Sequence, residues 1–142
     1  MKKYTVGFIF NTSLTKVLLI HKLHPQWQNG KINGVGGKIE PGEDSIDCIV
    51  REIREETGLI TQKNLWKFAG KNCAPDWEVD FYACMYNGQE SDAKTLTDEK
   101  VEWFLLSDLP DNLIPNLKWL IPLTLNKLTD NEYKECSVQY AQ

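Results

Sequence analysis

Residues 37–59 read "GKIEPGEDSIDCIVREIREETGL", and this stretch decides how the rest of the chain folds around it. Ile46, Ile49, Val50 and Ile53 recur at i, i+3, i+4 and i+7, which lays one apolar stripe along a helix. Pro41-Gly42 suits a tight turn ahead of it, with Pro presetting one φ and Gly supplying the positive one. Asp44 or Ser45 can cap the first turn, and Gly58 stands where a helix ends in a left-handed residue. At 100° per residue Glu52, Glu55 and Glu56 fall on an arc apart from the apolar stripe. Carboxylates three and four apart repel by a few tenths of a kcal/mol per pair. A chain whose formal charge is -4 needs a reason to gather them.

A small hard dication supplies one. Mg²⁺ binds oxygen and is typically held by one or two carboxylates together with substrate phosphates. A rigid helix presenting three glutamates is an incomplete site for it. The alternative is a solvated acidic face answered by Arg51 and Arg54.

Outward from this helix, "YTVGFIF" and "KVLLIHK" flank "NTSLT" and predict an antiparallel strand pair. A polar, glycine-bearing loop, "LHPQWQNGKINGVGGKIEPGE", joins that pair to the helix. Beyond the helix, "LWKFAGK", "WEVDFYACMY" and "VEWFLL" predict strands, and "NLKWLIPLTLNKL" predicts a second amphipathic helix with Asn116 at its N-cap. Pro122 predicts a kink or a late start there. "EYKECSVQY" predicts a last strand. Strands interleaved with two helices imply an α/β fold, a mixed sheet sandwiched between helices, and 142 residues imply one domain.

Composition narrows the function classes. With 42% apolar and 25% charged residues the chain is an ordinary globular sequence. No apolar run approaches the roughly 18 residues that would span a bilayer. The start "MKKYTVGFIFNTSLTKVLLI" breaks at "NTS" and lacks a small-residue cleavage site, so a cytoplasmic protein is expected. Four scattered cysteines with no CxxC pair argue against zinc and against a disulfide framework. An acidic chain without a basic cluster is a poor partner for long nucleic acid. An anionic substrate would then need a cation to meet it.

Gly37, Glu43, Arg51, Glu52, Ile53, Glu55, Glu56, Gly58 and Leu59 fill every specified position of a longer pattern. It is Gly-x5-Glu-x7-Arg-Glu-U-x-Glu-Glu-x-Gly-U, with U a bulky aliphatic, and so the segment resembles the Nudix signature. The resemblance implies a single Nudix hydrolase domain over residues 1–142. It also implies a Mg²⁺-dependent enzyme, with Mn²⁺ as the alternative ion, in which water attacks phosphorus of a nucleoside diphosphate linked to a further group. On this likeness Gly37, Glu52, Glu55 and Glu56 are the metal ligands. Glu52 orients or deprotonates the water, Arg51 holds the glutamates in register, and Glu43 supports the loop-to-helix junction. Glu99 in "TDEKVEW" is the candidate second acid, with Asp98 and Glu102 beside it.

The segments "YTVGFIF", "KVLLIHK" and "NGVGGK", and the tail from Ile114, are similar to the MutT-type branch that cleaves oxidised purine triphosphates such as 8-oxo-dGTP. That likeness implies conversion of a (d)NTP to (d)NMP and pyrophosphate. Asn33 and Asn116 are its candidate base readers, since an amide offers a donor and an acceptor. Lys38 joins the substrate-binding residues, and Trp27, Trp77 or Trp119 can stack on the ring. Asn116 also suits a helix cap, and the tryptophans also suit the core. Pro75 keeps a second substrate class open, a nucleoside diphosphate sugar such as ADP-ribose. A nucleotide-sensing domain without catalysis is the alternative of another class. The nucleotide is the expected partner, and the protein is expected as a monomer or homodimer.

Overall fold

The computed structural model describes residues 1–141. Its spine is a parallel pair. Strand β1 (Lys2–Phe10) runs beside β6 (Trp77–Met85) from Lys2↔Trp77 to Phe10↔Met85. The other edge of β1 is shared: β2 (Lys16–His21) takes its end at Ile9↔Leu18, and β4 (Val35–Lys38) pairs antiparallel from Tyr4↔Lys38 to Gly7↔Val35. β3 (Ile32–Asn33) and β7 (Val101–Leu105) flank β2, while β5 (Lys67–Cys73) and β8 (Cys136–Gln139) extend the sheet beyond β6. The sheet is mixed, as expected.

Two helices cover its faces. Val6, Phe8, Phe10, Val17 and Leu19 point to one side and pack with Leu117, Leu120 and Ile121 of α2 (Leu117–Thr129). Ile9, Leu18 and Ile20 point to the other and pack with Ile49 and Ile53 of α1 (Ser45–Thr57). Alternate residues of β1 and β2 thus serve opposite cores, which is why both strands read as unbroken apolar runs. Gly7 permits the close approach of α1: a Cβ there would lie 2.8 Å from Ile49 Cδ1.

Four details differ from the sequence reading. The glycine-bearing loop contains two short strands, β3 and β4, because Gly36 lets β4 come against β1; a Cβ there would sit 2.0 Å from the Thr5 carbonyl oxygen. A single 3₁₀ turn, Lys63–Leu65, precedes β5, and the extended Trp66 that follows it lies in the core beneath α1 with its indole N–H donating to Thr61 Oγ1. α2 begins at Leu117, ahead of Pro122, so there is no late start. Asp44 and Asn116 hold the N-cap positions, yet neither side chain makes a capping hydrogen bond.

Candidate active site

The turn before α1 and the cap after it fix the acidic flank. Gly42 (φ 78°) completes a turn in which the Glu43 N–H donates to the Glu40 carbonyl at 3.0 Å. Gly58 (φ 76°) closes the helix with its N–H on the Arg54 carbonyl. Between them Arg51 is the hub. Its Nε and Nη2 donate to the two oxygens of Glu43 at 2.7 and 3.0 Å, while Nη1 donates to Glu52 at 2.9 Å and Glu55 at 3.2 Å. The Arg51 fork holds the Glu43 carboxyl down to about 2, and that carboxylate in turn raises the guanidinium. Glu52 lies on the Gly37 backbone so closely that a Cβ at Gly37 would sit 2.6 Å from its carboxylate carbon. Burial pushes the Glu52 carboxyl up despite Arg51.

Glu56 has no such partner. Its Oε2 is enclosed and unbonded, and burial followed by the nearby Glu52 charge pushes its carboxyl up to about 7. The ion pair facing it is Lys22–Glu99, with Nζ to Oε1 at 3.0 Å. Glu99 is only 4% exposed and also accepts the backbone N–H groups of Leu23 at 2.8 Å and His24 at 3.2 Å. Burial works against its charge, but these donors hold its carboxyl below the ordinary range.

On the opposite face of the sheet from α1, a cleft of about 540 Å³ opens between the sheet and the start of α2. Gly36, Gly37 and Lys38 form one wall, so the backbone that carries Glu52 on one side borders the cleft on the other. Tyr4, Val79, Ile114 and Leu120 give it an apolar lining, and Asn33, Asn72 and Asn116 a polar one.

A family model described as NUDIX domain matches residues 1–124. The chain belongs to the NUDIX family. Among curated relatives, the NAD-capped RNA hydrolase NudC of Pseudomonas putida is 35% identical over 89 residues, 61% of this chain and 31% of the relative. The protein of that name from Vibrio parahaemolyticus is 31% identical over 88 residues. The match spans about a third of the length of these relatives. Among solved structures, a MutT protein from Bacillus halodurans superposes with a TM-score of 0.72 at 19% identity, covering 99% of this chain and 90% of its own. A NUDIX hydrolase from Nitrosomonas europaea gives 0.73 at 15% identity over 99% and 79%. These likenesses establish the Nudix fold, a mixed sheet flanked by two helices, for this NUDIX-family chain.

Nudix enzymes generally use a divalent metal, and the residues present fit one. Glu43, Glu52 and Glu55 share one direct cationic partner, Arg51, which leaves the buried Oε2 of Glu56 without any. Among the described residues no three acidic side chains already converge as a ready cage, because the guanidinium stands between Glu52 and Glu55. Excess carboxylate at a half-buried site is what a hard dication relieves.

The sequence-predicted substrate residues divide. Asn33, Lys38 and Asn116 line the cleft, as do Trp27 and Trp77. Trp119 does not: it lies among Lys118, Pro122 and Leu123 on another face of α2, and its ring packs against the core. The helical turn that turns Leu120 inward carries its neighbour Trp119 away, so the stacking role expected of Trp119 is corrected. Glu99 comes to the flank of the acidic site, but its oxygens are engaged by Lys22 and the Leu23–His24 backbone. Asn72 was missed. It lies one residue past the predicted strand "LWKFAGK", and the composition of β5, KFAGKNC, carries no signal that marks it.

Proposed function

We propose that this Nudix domain is a Mg²⁺-dependent pyrophosphohydrolase of nucleoside triphosphates, with purine nucleotides, oxidised ones included, as the favoured class. Water adds to phosphorus, one phosphoric anhydride P–O bond breaks, and the products are a nucleoside monophosphate and pyrophosphate. The observation that carries this reading is the shared wall at Gly36–Lys38. A nucleotide in the cleft would lead its phosphates past Lys38 to the backbone on which Glu52 rests.

When bound, the dication would neutralise phosphate charge and acidify a coordinated water. Glu52, Glu55, Glu56 and the Gly37 backbone would hold it. Glu52 is the residue to orient the water and take its proton, since burial raises its basicity while Arg51 fixes its direction. Arg51 and Glu43 keep helix and loop in register. Lys38 offers its charge to the phosphates, and Lys22, which also lines the cleft, is balanced by Glu99.

The printed name of the NudC relatives favours a second reading, a dinucleotide or other nucleoside diphosphate derivative such as ADP-ribose. Retention of the whole acidic set argues against a silent sensor domain. The deciding experiment incubates the protein and Mg²⁺ with 8-oxo-dGTP, dGTP, dATP, dCTP, NADH and ADP-ribose and identifies the products. Pyrophosphate and monophosphate from the purine triphosphates support the first reading. Turnover of NADH or ADP-ribose alone transfers the assignment to the second, and binding without turnover of any nucleotide would leave a sensor.

A further inference from the structure

Two aromatic rings stand at the outer rim of the cleft, where β6 begins and β8 ends. Trp77 lines the cleft, and its ring centroid lies 5.3 Å from that of Tyr140, with the planes tilted by 50°. The backbone fixes Tyr140 there, its N–H donating to the Cys73 carbonyl at 2.7 Å. A tilted pair makes a corner and not a closed stack, so a third flat ring can lie against its open side. Tyr140 is 37% exposed, which leaves aromatic surface in water beside the cleft. Parallel pairing sets Lys2 opposite Trp77, and Lys2 and Asp76 line the same cleft. An aromatic face with a lysine beside it is the combination that holds a base and its phosphate.

The spacing suits a second nucleoside. Pairing aligns Lys38 with Tyr4 and Tyr4 with Val79, two residues along β1 and β6 from Lys2 and Trp77. Two strand spacings of about 4.8 Å and two residues of about 3.3 Å put the Trp77 backbone roughly 12 Å from that of Lys38. A nucleoside, with the long side chains at either end, bridges that gap. We infer that the Trp77–Tyr140 corner is a second ring subsite. It takes the distal base of a substrate in which two nucleosides are joined through a pyrophosphate, folded back along the sheet from Lys38. Lys2, on the strand between Lys38 and Trp77, offers its charge to the pyrophosphate, and Asp76 accepts hydroxyl protons of the distal ribose. This rests on the reading of the cleft as a nucleotide site. It asks little of base identity, since every base has a π-face.

The test is calorimetric binding to the full chain with Ca²⁺, a dication that carboxylates hold, each ligand being checked as intact after its titration. Diadenosine diphosphate is compared with ADP-ribose, and diguanosine diphosphate with GDP-mannose, so that each sugar nucleotide lacks the second base. For wild type the second base should tighten binding by about fivefold or more in at least one pair. Tyr140→Ala should bring that ratio to within about twofold of unity with the sugar nucleotide's affinity kept, and Trp77→Ala should lower the ratio too. Tyr140→Phe, which keeps the ring, should preserve it. Equal affinities within both pairs for wild type would overturn the inference. So would an unchanged ratio in Tyr140→Ala, the result expected if the rings only close the sheet end. An equal loss for both members of a pair would do the same, as it would mark a purely structural role. Binding of none of the four ligands would instead sink the nucleotide reading of the cleft, and this one with it. Pyrophosphate release from the purine triphosphates is scored separately, so the triphosphate reading stands or falls whatever the ratio shows.

Discussion

Arg51 grips Glu43 with two nitrogens, at 2.7 and 3.0 Å, across the turn that leads into α1. Only a planar fork makes that pair and still reaches Glu52 at 2.9 Å. Arg51→Lys should therefore lose about 1–3 kcal/mol of stability, with turnover falling more than tenfold. Thermal melts and rates on the same preparation check this, and a lysine variant with wild-type Tm would show the fork to be dispensable.

Glu52 and Gly37 offer a paired test of the catalytic helix. Glu52→Gln keeps shape and removes charge, so the fold should persist while kcat drops by two or more orders of magnitude. Gly37→Ala pushes a methyl into the space the Glu52 carboxylate occupies. It should also depress kcat, for less than about 1 kcal/mol of stability, because the end of a glutamate side chain can shift. Full turnover in both variants would remove Glu52 from the mechanism.

Glu56 sets a pH slope. Its carboxyl stands at about 7 in the folded, metal-free protein, against an ordinary value of 4.5. Between those values the native state binds more protons than the unfolded one, so stability falls as pH rises. Glu43 has the opposite sign: held down to about 2, it adds stability that is lost as pH falls from 4.5 toward 2. Melts in EDTA from pH 4.5 to 7.5 should decline, and Glu56→Gln or saturating Mg²⁺ should flatten the decline. A slope unchanged in Glu56→Gln would assign it to another group.

Glu99 distinguishes an anchor from a base. As the clamp on Lys22 and the backbone of Leu23 and His24, its removal in Glu99→Ala should cost about 2–4 kcal/mol. The segment it clamps leads to Trp27, which lines the cleft, so KM should rise with the loss of order. A kcat collapse at unchanged Tm in Glu99→Gln would instead make it a proton acceptor.

Trp27 and Trp119 should separate cleanly. Trp27 is 65% exposed at the cleft, so Trp27→Ala should raise KM several-fold at constant Tm. Trp119→Ala should lower Tm and leave KM alone. The converse pattern would restore Trp119 to the binding site.

The acidic helix was legible because everything that shapes it is local: stripe, turn, cap glycine and glutamate spacing lie within one short run of sequence. β4 was not, since its strand character comes from pairing with Tyr4–Gly7, about thirty residues upstream, through glycines that carry no strand signal. Asn72 was hidden by a bulge. Alternation puts it on the same face as Phe68, the α1 side, but pairing shifts between Phe68↔Tyr82 and Gly70↔Phe81, and the extra residue turns Asn72 to the cleft. Trp119 was misplaced because periodicity says which residues are buried, not which cavity they face.

The parallel pairing of β1 with β6 has a kinetic meaning. One edge of Lys2–Phe10 stays unpaired until Trp77–Met85 is available, and α1 lies in the span between them. Closing so long a loop before any reward is slow, which places refolding of this domain toward the millisecond-to-second end of the two-state range. The helix that carries the glutamates can coil early from its own sequence, yet the wall it needs at Gly36–Lys38 hangs on β1. Recovery of enzymatic activity on dilution from denaturant should therefore lag behind the return of helical circular dichroism.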